Sequence, residues 1–374
     1  MGKYLKWFIV GLVFLPLFSM QGMDMRLTQE IFFRLFVMGL LILVLDNIWI
    51  SAFLGLTIFS FIFFKFQIGY GYVQNVFFGC FLYFLTKIAF KKEDIPKYIN
   101  AVLWLVVINI LYMSLQKLNF DFVYMMIHQT TNTVTQNNDP AGFMGLKAMM
   151  GVLMACTVPI LLARWNLTSK IGAGLMLVPL YLSQTSVAWA GAIIGCLFVL
   201  WYKVNRKWLW ALLVIVLVGV GTSYVVFVDA PMGMMTTRLG MWKGVLREAC
   251  KHPITGWGLD SFRNVTEWKP AKFLLQTTQN GITTYDLWDN AHNLYVQLFF
   301  EWGFLPLIIL VGLLRKYTLK FNNAIKSPIT LGLAGFILAF LVVNIGQFPL
   351  FLARGACWMV PLFGLWEVNL RGVK

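Results

Sequence analysis

Apolar stretches alternate with polar connections along the whole chain. Each stretch is long enough, or nearly long enough, to cross a bilayer as a helix. Helices are favoured inside lipid because they satisfy their own backbone hydrogen bonds. The pattern predicts an all-α polytopic membrane protein with about twelve transmembrane helices. We place these spans at residues 7–20, 31–45, 48–64, 68–86, 98–115, 142–163, 171–184, 187–202, 208–228, 291–313, 328–346 and 350–367.

Composition supports this class. Hydrophobic residues make up 59% of the 374 residues and charged residues only 12%, and the mean hydropathy is +0.75. A soluble domain of this length could not bury so much apolar surface. The five cysteines are odd in number and four of them fall inside predicted spans, so no disulfide framework is indicated.

The net charge of +15 is a topology signal and does not indicate a nucleic-acid partner. Most lysines and arginines fall in the connections that are cytoplasmic if the amino terminus is cytoplasmic. The apolar start of the chain is interpreted as an uncleaved first span, since it has no obvious signal cleavage site. Both termini are therefore predicted to be cytoplasmic, and the long loop 229–290, between spans nine and ten, is predicted to lie outside.

The predicted spans divide the chain into two regions. Residues 1–135 carry the first five spans and the first external loop, and residues 136–374 carry the remaining spans together with loop 229–290.

His292 lies at the junction between the long external loop and the tenth span, and it is one of three histidines in the chain. A titratable group at the boundary between water and lipid suits a reaction on a membrane-bound substrate, although a histidine there can equally anchor or cap the helix. Asp289 and Asn290 are predicted to cap this helix. Glu301 lies about half a turn around the helix from His292, so we expect it to act in packing or support.

A helix is predicted over residues 235–251 in the external loop. On a helical wheel, Arg238 shares a face with Trp242 and the apolar residues, opposite a basic stripe. An arginine on that face needs an anionic partner, which is either a carboxylate or a bound phosphate; a structural ion pair or snorkelling to the interface is the alternative to a functional role. The opposite, solvent-facing stripe consists of Lys243, Arg247 and Lys251.

Other chemistry-bearing patterns are sparse. No His/Cys cluster has metal-ligand spacing, no paired Asp-x-Asp motif occurs in the first external loop, and no nucleotide-binding fingerprint is present. We therefore predict neither a metal site nor a cofactor. Lys147 and Arg354 lie near the outer ends of spans, where each either adds positive potential for an anion or snorkels to the interface.

Several of these elements resemble the O-antigen ligases and O-antigen polymerases of bacterial envelopes. The layout of twelve spans with a long loop between the ninth and tenth is similar, as in GT-C-like glycosyltransferases. The motifs that carry the resemblance are Asn138-Asp139-Pro140-Ala141, Arg238 followed by Trp242, Pro253, Gly256-Trp257-Gly258, His292-Asn293-Leu294-Tyr295, Glu301 and Gly303.

The resemblance implies a metal-independent glycosyltransferase of lipopolysaccharide biosynthesis in the bacterial cell inner membrane, with the long loop in the periplasm. The donor would be a glycan on undecaprenyl pyrophosphate. The acceptor would be a sugar hydroxyl, of the lipid A core for a ligase or of another lipid-linked repeat unit for a polymerase. His292 and Arg238 would be catalytic, while Asn293, Tyr295 and Trp242 would contribute to substrate binding.

One position departs from the family pattern. Ser186 stands where the family usually carries an arginine of a Ser-Arg pair, so Lys147 or Arg354 would have to supply a second cation. Two alternatives from other classes stay open at this stage. One is a flippase for lipid-linked oligosaccharides, and the other is an inactive assembly or inhibitor protein.

Overall fold

The structure, a computed structural model, describes the following residues: 2–14, 71–118, 120–121, 142–144, 147–205, 231–254, 256–257, 261–262, 274–279, 282–287, 290–304, 308, 311, 315, 325, 327–347 and 353–371. Its helices are α1 (Gly2–Leu12), α2 (Gly71–Ala89), α3 (Ile95–Lys117), α4 (Lys147–Arg164), α5 (Leu167–Leu175), α6 (Leu177–Leu182), α7 (Ser186–Lys203), α8 (Pro231–Ala249), α9 (Leu294–Trp302), α10 (Pro328–Val343) and α11 (Ala353–Asn369). Short 3-10 turns cover Lys92–Asp94 and Gly142–Met144.

The predicted helical membrane architecture is confirmed in the part of the chain that the structure describes. There, three helices are long and apolar enough to cross a membrane, namely Lys92–Lys117, Lys147–Arg164 and Ser186–Lys203. Shorter apolar helices cover Leu167–Leu182 and Pro328–Val343. The total of twelve spans and their orientation stay predictions, and the spans predicted at 31–45, 48–64 and 208–228 lie outside the described residues.

Two predicted spans are interrupted. The span predicted at 171–184 is divided between α5 and α6, with Met176 between the two helices. The helix predicted over 291–313 ends at Trp302, because Gly303 adopts a backbone φ of 66° that ends the helical hydrogen bonding.

The segment between residues 229 and 290, which is predicted to be external, also contains a β-hairpin that the sequence analysis did not predict. Strand β1 (Leu274–Gln279) pairs antiparallel with β2 (Ile282–Leu287), with Thr277 opposite Thr284. The loop therefore combines helix α8 with a two-stranded ribbon.

The chain divides into two compact units. The first comprises Met1–Cys196, Asn323–Val343 and Pro349–Lys374, and the second comprises Leu197–Asn322 and Asn344–Phe348. In the first unit, α4 packs on α10 and α11 packs on α2. Small residues permit the tight approach of α7 to α10, since a Cβ added at Gly191 would lie 2.8 Å from the carbonyl oxygen of Ala339.

The second unit is held together by a core between α8 and α9. Buried side chains from the two helices and the segments beside them form this core: Met241, Val245, Ala249, Phe262, Ala291, Val296, Phe299 and Phe300. Both residues predicted to be catalytic belong to elements of this unit, so its packing decides where they lie.

A glycine-dependent backbone contact closes the second unit. Phe304 donates its backbone N–H to the carbonyl of Pro253 at 2.9 Å. A Cβ added at Gly303 would lie 2.4 Å from the carbonyl oxygen of Ile254, and the φ of 66° already disfavours any other residue. The turn after α8 and the end of α9 therefore meet backbone to backbone.

We expect Gly303→Ala to lower the melting temperature of the detergent-purified protein. The unfavourable φ alone costs roughly 1–3 kcal/mol, and the clash with Ile254 adds to it. Gly240→Ala is the matched control, because an added Cβ at that exposed helical position meets nothing within 4 Å and alanine is the better helix former. Equal melting temperatures for the two variants would contradict this account of Gly303.

Candidate functional site

Helix α8 presents Arg238 on its packed side, as the helical wheel predicts. Met241, Val245 and Ala249 are buried, and Arg238 and Trp242 are half-buried. The opposite, exposed stripe consists of Lys243, Arg247 and Lys251. The predicted separation of Arg238 from the other basic residues of this helix is therefore confirmed.

The guanidinium of Arg238 has one hydrogen bond to the part of the chain that the structure describes. Nη1 donates to the carbonyl oxygen of Gly346 at 3.2 Å. Nε is buried and has no hydrogen-bond acceptor there. No carboxylate of the described residues pairs with Arg238, and burial lowers the pKa of its guanidinium. Arg238 is thus a desolvated cation whose bonded partner is a neutral carbonyl.

His292 lies in a strained turn immediately before α9. Its backbone φ is 46°, a left-handed conformation that few residues other than glycine adopt. The turn is stabilised by Asn290, whose side-chain Oδ1 accepts the backbone N–H of His292 at 2.9 Å. Nδ1 of the imidazole is buried. The Asn290 side chain therefore stabilises a backbone conformation that histidine by itself disfavours.

A chain of hydrogen bonds holds the residue before His292 on both sides. The indole Nε1 of Trp242 donates to the carbonyl of Ala291 at 2.7 Å, and the N–H of Ala291 donates to Oε1 of Gln297 at 2.8 Å. Nε2 of Gln297 in turn donates to Oε1 of Glu301 at 2.6 Å. Gln297 and Glu301 are both buried. The polar groups of α8 and α9 thus converge on the peptide that precedes His292.

This series of hydrogen bonds gives two residues singled out in the sequence a specific structural role. Trp242, which the resemblance places in substrate binding, uses its polar atom to orient the Ala291 peptide one turn away from Arg238. Glu301 acts on the same peptide through Gln297, which agrees with its expected supporting role.

The capping prediction for α9 is wrong in its choice of residue. Asn293 is the N-cap, because its Oδ1 accepts the backbone N–H groups of Tyr295 and Val296. Asn290 instead closes the turn that contains His292, and Asp289 lies outside the described residues. The error arose because the helix begins later than the apolar pattern suggested. Asn293 is buried with its oxygen engaged in capping, whereas Tyr295 is half-buried on the first turn of α9.

Trp257 connects the ends of α8 and α9. Its indole Nε1 donates to the carbonyl of Glu248 at 2.9 Å, and its backbone N–H donates to the carbonyl of Phe300 at 2.9 Å. Gly256 has a φ of 65° and approaches the backbone of Glu301 so closely that an added Cβ would lie 2.3 Å from it. The motif residues of the turn and of the helix end therefore form one structural contact.

The remaining predicted residues belong to the first unit. Lys147 is the first residue of α4 and is half-buried, and Ser186 is the exposed first residue of α7. Arg354 is the second residue of α11, and its side chain lies outside the described part of the structure. The sequence element at Asn138-Asp139-Pro140-Ala141 also lies outside it.

The sequence analysis missed a short segment that touches both predicted catalytic elements. After α10 ends, the carbonyl of Asn344 accepts the backbone N–H of Leu294 at 2.9 Å, and the carbonyl of Gly346 accepts Arg238. We call Asn344–Gln347 the bridging segment. Its position was predicted as the end of an apolar span, and the Asn344 and Gln347 polar side chains at that end were the signal that could have identified it.

The structure therefore brings the Arg238 helix and the His292 turn together through two independent contacts. Trp242 joins α8 to Ala291, and the bridging segment contacts Arg238 on one side and Leu294 on the other. A guanidinium that makes one hydrogen bond to the described residues suits the binding of an oxyanion such as phosphate. The turn that Trp242 contacts carries the imidazole of His292, a group that suits proton transfer.

Comparison with known proteins gives one match over part of the chain. Residues 171–311 match the family model described as O-antigen ligase. The matched region includes Ser186, the whole of α8, the β-hairpin and α9, and hence Arg238 and His292. No curated protein matches the chain in a sequence comparison. Over residues 171–311, the chain is thus similar to the O-antigen ligase family, which supports the resemblance found in its motifs.

Proposed function

We propose that this protein is an O-antigen ligase-like glycosyltransferase of the bacterial inner membrane. It transfers a glycan from undecaprenyl pyrophosphate to a sugar hydroxyl of the lipid A core at the periplasmic face, without a metal ion. The match of residues 171–311 to the O-antigen ligase family supports ligase or polymerase chemistry in general. The particular donor and acceptor are the proposal.

The observation that carries this proposal is the state of Arg238. A partly desolvated cation is unfavourable unless an anion or several hydrogen bonds compensate it, and the half-buried Arg238 has a single carbonyl partner within the described residues. The sequence left a carboxylate and a phosphate as possible partners. A carboxylate partner is not found among the described residues, which favours a ligand phosphate.

Arginine suits the leaving group of this reaction. When the bond between the anomeric carbon and the pyrophosphate oxygen breaks, the electron pair stays on the pyrophosphate as negative charge. A planar guanidinium binds two phosphate oxygens at once and stays protonated throughout. Because the charge develops in the transition state, stabilising it there accelerates the reaction.

His292 supplies the complementary function. The acceptor hydroxyl oxygen forms the new bond to the anomeric carbon and must lose its proton, which the imidazole accepts. The strained backbone of His292 supports this role, since a residue kept in an unfavourable conformation commonly serves function. Tyr295, half-buried in the first turn of α9, and Asn293 lie next to His292 in the chain. Lys147 and Arg354 stay predicted sources of further positive charge in place of the arginine replaced by Ser186.

The test is transfer by the purified full chain in proteoliposomes. A labelled glycan on undecaprenyl pyrophosphate is the donor, and lipid A core is the acceptor, with excess chelator present to test metal independence. We expect labelled glycan on lipid A core. Extension of the lipid-linked glycan instead would identify a polymerase. Donor movement across the bilayer without transfer would identify a flippase, and neither transfer nor movement would identify an inactive relative.

A further inference from the structure

The turn between α4 and α5 carries two cations that the proposed reaction does not use, Arg164 and Lys170. Both side chains are exposed. Other basic residues of the first unit pair with carboxylates, since Lys6 and Lys97 both contact Asp94. No carboxylate of the described residues pairs with Arg164 or Lys170. The turn therefore presents two positive charges that no described acidic group neutralises.

Contacts with neutral groups hold both cations in place. Nη2 of Arg164 donates to the side-chain Oδ1 of Asn100, on α3, at 2.7 Å. The ammonium of Lys170 lies 4.2 Å from the centroid of the Trp165 ring, which is a cation–π contact. A guanidinium and an ammonium each have several N–H donors, so one such contact leaves donors for an anionic ligand.

The backbone of the turn is fixed as well. Trp165 has a φ of 57°, a left-handed conformation that is uncommon for a bulky residue. Its N–H donates to the carbonyl of Leu162 at 3.1 Å. Asn166 caps α5, because its Oδ1 accepts the backbone N–H of Ser169 at 2.7 Å. An ordered turn therefore presents the two cations.

Exposed apolar side chains adjoin the cations on the same helices. On α5, Leu167, Ile171 and Leu175 are exposed and recur at every fourth position, which places them on one side of the helix next to Lys170. On α3, Trp104 is exposed about one turn beyond the asparagine that binds the guanidinium. A soluble anion would contact only the cations, whereas a phospholipid joins a phosphate to apolar chains that cover such a surface.

We infer that the turn between α4 and α5 is a binding site for an anionic phospholipid of the surrounding bilayer. Arg164 and Lys170 contact the headgroup, and the exposed apolar side of α5 contacts an acyl chain. The turn lies at the ends of spans that are predicted to be cytoplasmic, where basic sites between membrane helices bind such headgroups. The inference goes beyond the proposed function and does not depend on it.

Equilibrium binding to the purified full chain in non-ionic detergent tests this site. The probes are fluorescent phosphatidylglycerol, which is anionic, and phosphatidylcholine with the same label and acyl chains, which is zwitterionic. We expect the wild-type protein to bind phosphatidylglycerol more tightly by about ten- to thirty-fold, since each cation near an anionic lipid contributes about five-fold. Lys170→Gln should lower this preference about five-fold, and Arg164→Gln combined with Lys170→Gln should abolish it.

Lys92→Gln is the matched control, because Lys92 is an exposed lysine of a connection predicted to lie on the same side of the membrane. It removes the same charge and should leave the lipid preference unchanged. Soluble glycerol phosphate, added at the concentration of the labelled lipid, should not displace phosphatidylglycerol, because it has no acyl chains.

Four results would overturn the inference. Equal affinity of the wild-type protein for the two lipids would exclude a site for anionic headgroups. A preference kept by Lys170→Gln would exclude this lysine, and that variant leaves the contact between Arg164 and Asn100 intact if the double variant does not fold. An equal loss in Lys92→Gln would indicate a diffuse positive surface, and displacement by glycerol phosphate would indicate a site for soluble phosphates.

Discussion

His292→Gly is expected to abolish glycan transfer while leaving the protein at least as stable as the wild type. The left-handed backbone at His292 costs a residue with a Cβ about 1–2 kcal/mol, and glycine adopts it without this strain. The imidazole, by contrast, is proposed to remove the acceptor proton, a function typically worth about 10²–10⁴-fold in rate. Stability and activity should therefore change in opposite directions.

The measurements are the melting temperature in detergent and the initial transfer rate in proteoliposomes. His252→Ala is the matched control, because His252 is an exposed histidine of the same unit whose ring packs against Trp257 at 4.5 Å. Its transfer rate should stay close to that of the wild type. A His292→Gly protein that transferred glycan at the control rate would refute the assignment of His292 as the base.

The side of α8 that packs against the rest of its unit could be predicted from the sequence, because helical periodicity alone decides which residues share a side. The spacing of Arg238, Trp242 and Val245 places them on one side of any regular helix, and the structure packs that side. The junction at His292 was equally visible, since the change from polar to apolar residues marks where the span begins.

Long-range and backbone-specific features could not be predicted in this way. The wheel showed that Arg238 points inward but not that its acceptor is Gly346, 108 positions further along the chain. The left-handed turn at His292 depends on the Asn290 side chain, and the helix start depends on Asn293. Both asparagines suit either role by residue type, so only the backbone conformation decides between them.

Replacing Arg238 is expected to have the second large effect on glycan transfer, and two replacements of different charge and shape test its role. We expect Arg238→Gln to reduce transfer by about 10²–10³-fold, the loss typical of removing one group that stabilises a developing oxyanion. Arg238→Lys should fall between this variant and the wild type. It keeps the charge, but a single ammonium group cannot both occupy the Gly346 carbonyl and present a planar pair of donors to a phosphate.

The melting temperature of the Arg238 variants distinguishes a role in pyrophosphate binding from a structural role. Arg238 is desolvated and has one neutral partner in the described structure, so replacing its charge by a neutral side chain should not destabilise the protein. Arg247→Gln, at an exposed position of the same helix, is the control and should change neither rate nor melting temperature. If the melting temperature and the transfer rate of Arg238→Gln fell together, Arg238 would be a structural anchor. If they separated as expected, the charge of Arg238 would serve the donor pyrophosphate and not the fold.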